Sequence, residues 1–477
     1  MNYLPRPDSI KKASRDVYRI LTNVFSSKIF LYVTFGWFIV QAFYIALAVK
    51  FGIPPDESFH FNLIKLYSES GLSPILLDQV DYYFLGEVVK TPFFLYHWLL
   101  SIPFSLFADS QYAYLPLRIV NIALGVFSLM VIYKISDLLK VTPLVRNISL
   151  FMFANTLMFV FLSSAISYDN LFLLLSLGGI YLILQNRVNY SLSNILALFV
   201  VIATGLLTKV TFIPLALILL FFLVVQTARQ KNIVEKLKSQ FFRKKNLNIA
   251  LMILLILFSG LVLQRYGSNL IQYGTYKPAC DVVLEVQQCQ QNYLYNRNQA
   301  IYGYDSRPPE LSGFQYLFDW MYLIQARTIG VLGHVSLEGH ARALLLLQIL
   351  TGIWIVLAVR LWNKHNKAMT LAIIYALFYG LIVLIENNGI YNEVGRVGFA
   401  IHGRYIFTSL ALFYIVGNYF VLHGKGQSFL KSFYVLVVVV TFFFSSLPTY
   451  LSETSPYATE IEWRTNTINR IHEKIGL

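Results

Sequence analysis

Asp56, Glu57 and His60 stand in the run Ile53-Pro54-Pro55-Asp56-Glu57-Ser58-Phe59-His60-Phe61, directly after the first long apolar stretch of the chain. Two adjacent carboxylates and an imidazole can do acid/base work there, with one carboxylate taking the proton of a hydroxyl. If the run opens a helix, Pro54 and Pro55 fix its start, and Asp56 and Glu57 then share a face with His60. The same residues also read as an ordinary helix start with Asp56 as the capping acid. Which reading holds depends on what company the acids keep. Candidate partners recur at the edges of apolar stretches: Lys90, Asp169, Lys209, Arg404 and Tyr405. Lysine and arginine there are suited to a phosphate, whose charge they would stabilise as it develops. Each has a plainer role as well. Asp169 can cap the helix that follows it, Lys209 can snorkel from a hairpin tip, and Arg404 stands at a helix start.

The elements that position these residues are membrane helices. The 477 residues are 57% apolar and 13% charged with a mean hydropathy of +0.59, well outside the range of soluble domains. Distinct apolar runs of helical length, without the alternation of a barrel, predict an all-α integral membrane protein with about 11 transmembrane helices. The net charge of +14 does not point to nucleic acid, because the basic residues gather at alternate ends of the apolar runs. Residues 1–28 carry Arg6, Lys11, Lys12, Arg15, Arg19 and Lys28 and read as a cytoplasmic basic leader. Residues 29–264 form a transmembrane module whose first outer loop, 51–114, carries the acidic motif. Residues 265–340 are an outer loop domain, 341–448 further transmembrane helices, and 449–477 an outer tail. The segment 93–107 reads as re-entrant, since Pro103 cuts it short. Arg229 to Lys245, with seven Lys and Arg against one Glu, belongs inside.

In this topology Asp56, Glu57, His60, Lys90, His97, Asp169, Lys209, Arg327, His334, His340, Arg396, His402 and Arg404 all fall on the outer side. A coupled transporter would place ionisable groups within the spans. One-sidedness favours an enzyme of the outer leaflet.

The Pro-Pro-Asp-Glu-x-x-His-Phe segment after the first span resembles the first outer-loop motif of the GT-C superfamily of membrane glycosyltransferases, which use polyprenyl-phosphate sugars. It is similar to the protein O-mannosyltransferases and the lipid A aminoarabinose transferases. It also resembles a bacterial branch with Ser167-Tyr168-Asp169, Lys209 followed by Pro214, and Gly403-Arg404-Tyr405. The resemblance runs from residue 29 to about 420. It implies a GT-C-type bundle with outer juxtamembrane helices, sited in a bacterial inner membrane with its N-terminus cytoplasmic and its active site facing outward. It also implies Asp56 as base, Asp169 as second acid, and Lys90 and Lys209 as contacts of the donor phosphate. The partners expected are a polyprenyl-phosphate-sugar lipid donor, a glycan, lipid or protein acceptor, and the membrane, with no nucleic acid.

The expectation is therefore an inverting glycosyltransferase. Its catalytic residues are Asp56, Glu57 and Asp169, and its substrate and phosphate contacts are His60, Lys90, Lys209, Arg404 and Tyr405. No cofactor is expected, the alternative being a divalent metal held by His60, His97, His340 or His402 with Asp56 or Asp169, for which no spacing here is diagnostic. Cys280 and Cys289 are outside, where a disulfide and two free thiols are the alternatives. Rival functions are a lipid-diphosphate-linked oligosaccharide polymerase or ligase and a polysaccharide or lipid transporter.

Overall fold

Ser27 separates the first two helices, its Oγ accepting from Phe30 N at 3.1 Å to cap the second. The first, α1 (Pro7–Phe25), is a basic helix that packs against a late helix of the bundle, Ser428–Phe444. The computed structural model describes residues 7–73, 80–90, 93–302, 311–330, 341–361, 367–395, 397–398, 401–423 and 427–453. Every regular element among these is helical, apart from an isolated bridge residue at Val49.

The bundle runs through α2 (Lys28–Ala48), α3 (Glu57–Glu69), α4 (Leu95–Ser105), α5 (Tyr114–Leu138), α6 (Pro143–Ala154), α7 (Leu157–Ser163), α8 (Tyr168–Val188), α9 (Leu192–Thr208), α10 (Phe212–Ala228) and α11 (Ile233–Arg243). It continues through α12 (Lys245–Val262), a π turn (Leu263–Gly267) and α13 (Ser268–Tyr273). Four helices follow, α14 (Cys280–Val283), α15 (Val286–Cys289), α16 (Tyr293–Tyr302) and α17 (Gly313–Ile329). The chain ends in α18 (Ala341–Arg360), α19 (Lys367–Val394), α20 (Phe407–His423), α21 (Ser428–Phe444) and α22 (Leu447–Glu453). Among the described residues eight helical stretches are long and apolar enough to cross a membrane, or ten if each of two bent pairs counts as one span. The pairs are α6–α7, bent by 64°, and α10–α11, bent by 108°. The shorter α9 is the remaining apolar segment.

Residues at the C-terminal ends of α9 and α19, at the N-terminal ends of α8 and α10 and just before α20 line one cavity. Arg118, in the N-terminal part of α5, donates to Glu57 at the start of α3 and to Ala46 O near the end of α2. Arg229 to Lys245 follows the far end of α10. The α9–α10 hairpin is tight because a Cβ on Gly205 would lie 2.5 Å from the Phe212 ring. That approach sets Lys209 at its tip. In the main core α5 packs along α8, α8 along α9 and α19 along α20.

Several boundaries differ from the sequence expectation. The helix begun by α12 passes Arg265 and ends at Tyr273, and α19 continues through Glu386, Asn387 and Asn388 to Val394. At eleven residues α4 is about 16 Å long, too short to cross a bilayer. The segment 265–340 is shared between two cores. Tyr316, Trp320, Ile324 and Ile329 of α17 join the main one. Cys280 and Cys289, joined in a disulfide, pack with Leu63, Tyr67, Tyr83 and Val89 beneath a 3-10 helix, Val80–Val89. His334, His340, Arg396 and most of the tail 449–477 lie outside the described residues.

Candidate active site

The sharp turn after α2 sets the first acid. Gly52 has φ +84°, and Asp56 itself takes φ +61°, a left-handed conformation that aspartate tolerates better than most residues. Asp56 occupies the N-cap position of α3, yet its carboxylate makes no capping bond. Instead Oδ2 accepts from Arg404 Nη2 at 2.9 Å. The helix-cap role falls elsewhere for Asp169 too. Ser167 caps α8, and the Asp169 carboxylate turns to Lys209, with Oδ1 at 2.7 Å from Nζ. Arg404 Nε is 3.4 Å from Asp169 Oδ2, so one guanidinium spans both acids.

Lys209 points inward rather than snorkelling. Its side chain is 11% exposed, with the ring centroids of Tyr168 and Tyr405 at 4.6 and 5.0 Å from Nζ. Burial would drive the ammonium towards its neutral form, and the Asp169 carboxylate outweighs this and holds it protonated, above the ordinary lysine range. Arg404 is aimed by its neighbour Gly403. A Cβ there would lie 2.5 Å from Arg327 O and Thr328 N, so only glycine lets this turn rest against the backbone of α17. The 3-10 turn Gly403–Ile406 that carries Arg404 runs directly into α20. The Arg327 side chain braces the same turn, donating to Gly398 O at 2.6 Å and to Ile401 O.

These groups face a cavity of about 610 Å³ lined by Asp56, His60, Asp169, Lys209, Arg404 and Tyr405, among others. One flank is apolar, with Pro214 of α10 facing Tyr379, Ile382 and Val383 of α19. The other is cationic, with Arg265, Lys277, Arg297 and Arg327. Burial pushes the Glu87 carboxyl on that flank upward against the pull of Lys277.

Three expected site residues differ in place or partner. Glu57 does not line the cavity. It is fully buried and accepts from Arg118 Nε and Nη2 at 2.8 and 2.7 Å, from Gly52 N at 3.0 Å and from Ile166 N at 3.2 Å. Arg118 Nη1 in turn donates to Ala46 O and Val49 O at 2.6 and 2.9 Å. The second acid of the motif therefore staples α2, α3, α5 and the start of α8 together, which positions Asp56 and leaves no lone pair for substrate. Lys90 ends the Val80–Val89 turn, its N donating to Glu87 O at 3.2 Å, and is not among the cavity residues. His60 does line the cavity, but as a neutral partner of His97, with Nδ1 2.9 Å from His97 Nε2. Burial lowers its pKa to about 4 and lowers that of His97 well below the ordinary value. Among the described residues no three or more of His, Cys, Asp and Glu gather as a metal would require.

Sequence reasoning passed over Arg118 and Arg265. Arg118 had a signal, a charge inside an otherwise apolar span. Arg265 donates to Leu207 O at 2.9 Å and sits with its guanidinium carbon 4.0 Å from the Phe94 ring centroid, contacts that a π turn in a continuous helix makes and spacing does not disclose.

Residues 90–263 match the family of dolichyl-phosphate-mannose-protein mannosyltransferases. The matched segment holds Asp169 and Lys209, while Asp56 and Arg404 come to it from either side. Two crystal structures of ArnT from Cupriavidus metallidurans are similar to this chain. The one bound to undecaprenyl phosphate has a TM-score of 0.49 and 13% identity over 87% of this chain and 64% of that one. The apo form has 0.48 and 12% over 86% and 63%. This chain thus spans less than two thirds of the length of ArnT. Among curated proteins none matches the sequence.

Proposed function

We propose that the chain transfers a sugar from a polyprenyl-phosphate donor to an acceptor hydroxyl on the outer side of a bacterial inner membrane, with inversion at the anomeric carbon. The observation that carries this is Arg404 bridging two unequal carboxylates. Asp169, 8% exposed, is held by both Lys209 and Arg404, whereas Asp56 is 25% exposed and contacts Arg404 from the cavity. Asp56 is the group with room to meet an acceptor. It takes the hydroxyl proton as the oxygen attacks the anomeric carbon, and the bond from that carbon to the phosphate oxygen breaks.

The leaving lipid phosphate departs as a monoester and gains one negative charge. Lys209 and Arg404 stand where that charge develops, so no acid is needed to protonate it. Asp169 keeps the two cations apart and aimed. The apolar flank between α10 and α19 suits the first isoprene units, and the family matched by residues 90–263 is described by a donor of this chemical type, a prenol phosphate sugar. The outer orientation is supported by the basic segment Arg229 to Lys245, which follows the end of α10 far from the cavity.

The test is incubation of the purified protein with radiolabelled polyprenyl-phosphate sugars. Transfer predicts stoichiometric release of lipid phosphate as the sugar moves to the acceptor fraction. Movement of the intact lipid across a vesicle membrane without release would overturn the reading.

A further inference from the structure

We propose that His60 and His97 form a hydroxyl-recognition subsite in the cavity, one imidazole donating to and the other accepting from hydroxyl groups of a bound sugar. This rests on the sugar-transfer reading and names what the pair contributes to it.

The two rings meet edge to edge, with His60 Nδ1 and His97 Nε2 2.9 Å apart. Both side chains are buried, at 0% and 2% exposure, and both line the cavity. Among the described residues, the remaining nitrogens, His60 Nε2 and His97 Nδ1, are buried with no hydrogen-bond partner. Native folds leave few such atoms, and one on each ring of a bonded pair calls for a partner from outside the chain. The rings cannot easily turn to find one. His60 lies against Tyr168 with centroids 4.5 Å apart, and His97 against Tyr96 at 5.2 Å.

The shared bond dictates what that partner is. One imidazole must donate its proton to the other. Whichever does so, a neutral pair is left showing one N–H at one end and one lone pair at the other. An anion would want two donors and a cation two acceptors. Hydroxyl groups supply both roles, so the pair matches a sugar and not the phosphate, whose counter-charges are Lys209 and Arg404. Burial keeps both rings neutral and so preserves this pattern.

The hydroxyls belong to the donor sugar or to an acceptor sugar, and two arms of one experiment separate these. The full chain in nanodiscs is titrated with undecaprenyl phosphate and with undecaprenyl-phosphate mannose, glucose and galactose. Lipid-phosphate release is then followed against rising methyl α-mannoside. His97→Leu removes the unpartnered Nδ1, and His97→Asn restores an amide near its position. If the donor sugar is bound, His97→Leu weakens the tightest sugar lipid about ten- to hundred-fold, the worth of one to two hydrogen bonds. Undecaprenyl phosphate binding stays unchanged, and His97→Asn recovers part of the loss. If an acceptor sugar is bound, the half-saturating methyl α-mannoside rises by a similar factor with donor binding intact. Equal losses for undecaprenyl phosphate and every sugar lipid, or no change in either arm, would overturn the subsite. A wild-type chain that binds undecaprenyl phosphate yet fails these arms loses only the subsite; one that binds no lipid loses the transfer reading too.

Discussion

Arg404 Nη2 donates to Asp56 Oδ2 at 2.9 Å across 348 residues of sequence. The same side chain is 7% exposed, and its Nη1 is buried without a hydrogen-bond partner. A guanidinium so placed holds Asp56, the proposed base, in position and has a donor to offer a phosphate oxygen. We expect Arg404→Lys, which keeps the charge and loses the fork, to lower transfer at least about tenfold and weaken lipid-phosphate binding. Retention of wild-type kcat and donor affinity would show that only the charge matters.

Glu57 and Arg118 predict a different kind of loss. Removing one member of a buried ion pair strands the other, at about 3–5 kcal/mol. Glu57→Gln and Arg118→Met should each lower the melting temperature in detergent strongly and reduce the folded yield. The surviving folded fraction should still bind undecaprenyl phosphate. A stable Glu57→Gln protein that is merely inactive would return Glu57 to the reacting groups.

The His60–His97 pair makes stability depend on pH. His60 titrates at about 4 in the folded chain and near 6.5 when unfolded, and His97 is lowered in the same direction. Both shifts are led by burial. Asp56 and Asp169 oppose it at His60, whereas Arg404 and Lys209 add to it, as Arg265 does at His97. Above about pH 6.5 neither state is protonated there and the contribution is fully present. Between about 6.5 and 4 the unfolded chain binds protons that the folded chain refuses, so stability falls with pH, by of the order of 3 kcal/mol for His60 alone. Melting temperatures from pH 8 to 4 should decline below 6.5 in the wild type and decline less in His60→Leu. Parallel profiles would exclude the pair as the source.

Much of this arrangement was legible in the apolar runs. The apolar run before the acidic motif is α2 at Lys28–Ala48, because hydropathy and length fix a membrane helix closely. Alternation of helix direction then put Asp56, Asp169, Lys209 and Arg404 at one end. What spacing could not disclose is where neighbouring side chains point. Asp56 and Glu57 are adjacent, yet the left-handed turn at Asp56 sends its carboxylate to Arg404 while Glu57 goes to Arg118. Lys90 likewise shares its short turn with Glu87 and Val88, of which only those two line the cavity. The close approach behind Gly403 is a tertiary contact with α17, and nothing in Gly-Arg-Tyr itself announces it.

The most direct test of Asp56 as the base is Asp56→Asn, which keeps the side chain's size and removes its ability to take a proton. In single-turnover reactions with a radiolabelled polyprenyl-phosphate sugar, transfer should slow by about 10²–10⁴-fold. Binding of the lipid phosphate, held by Lys209 and Arg404, should remain within a few-fold of wild type, and the melting temperature should be close to it. Transfer at the wild-type rate by a folded Asp56→Asn protein would contradict the assignment.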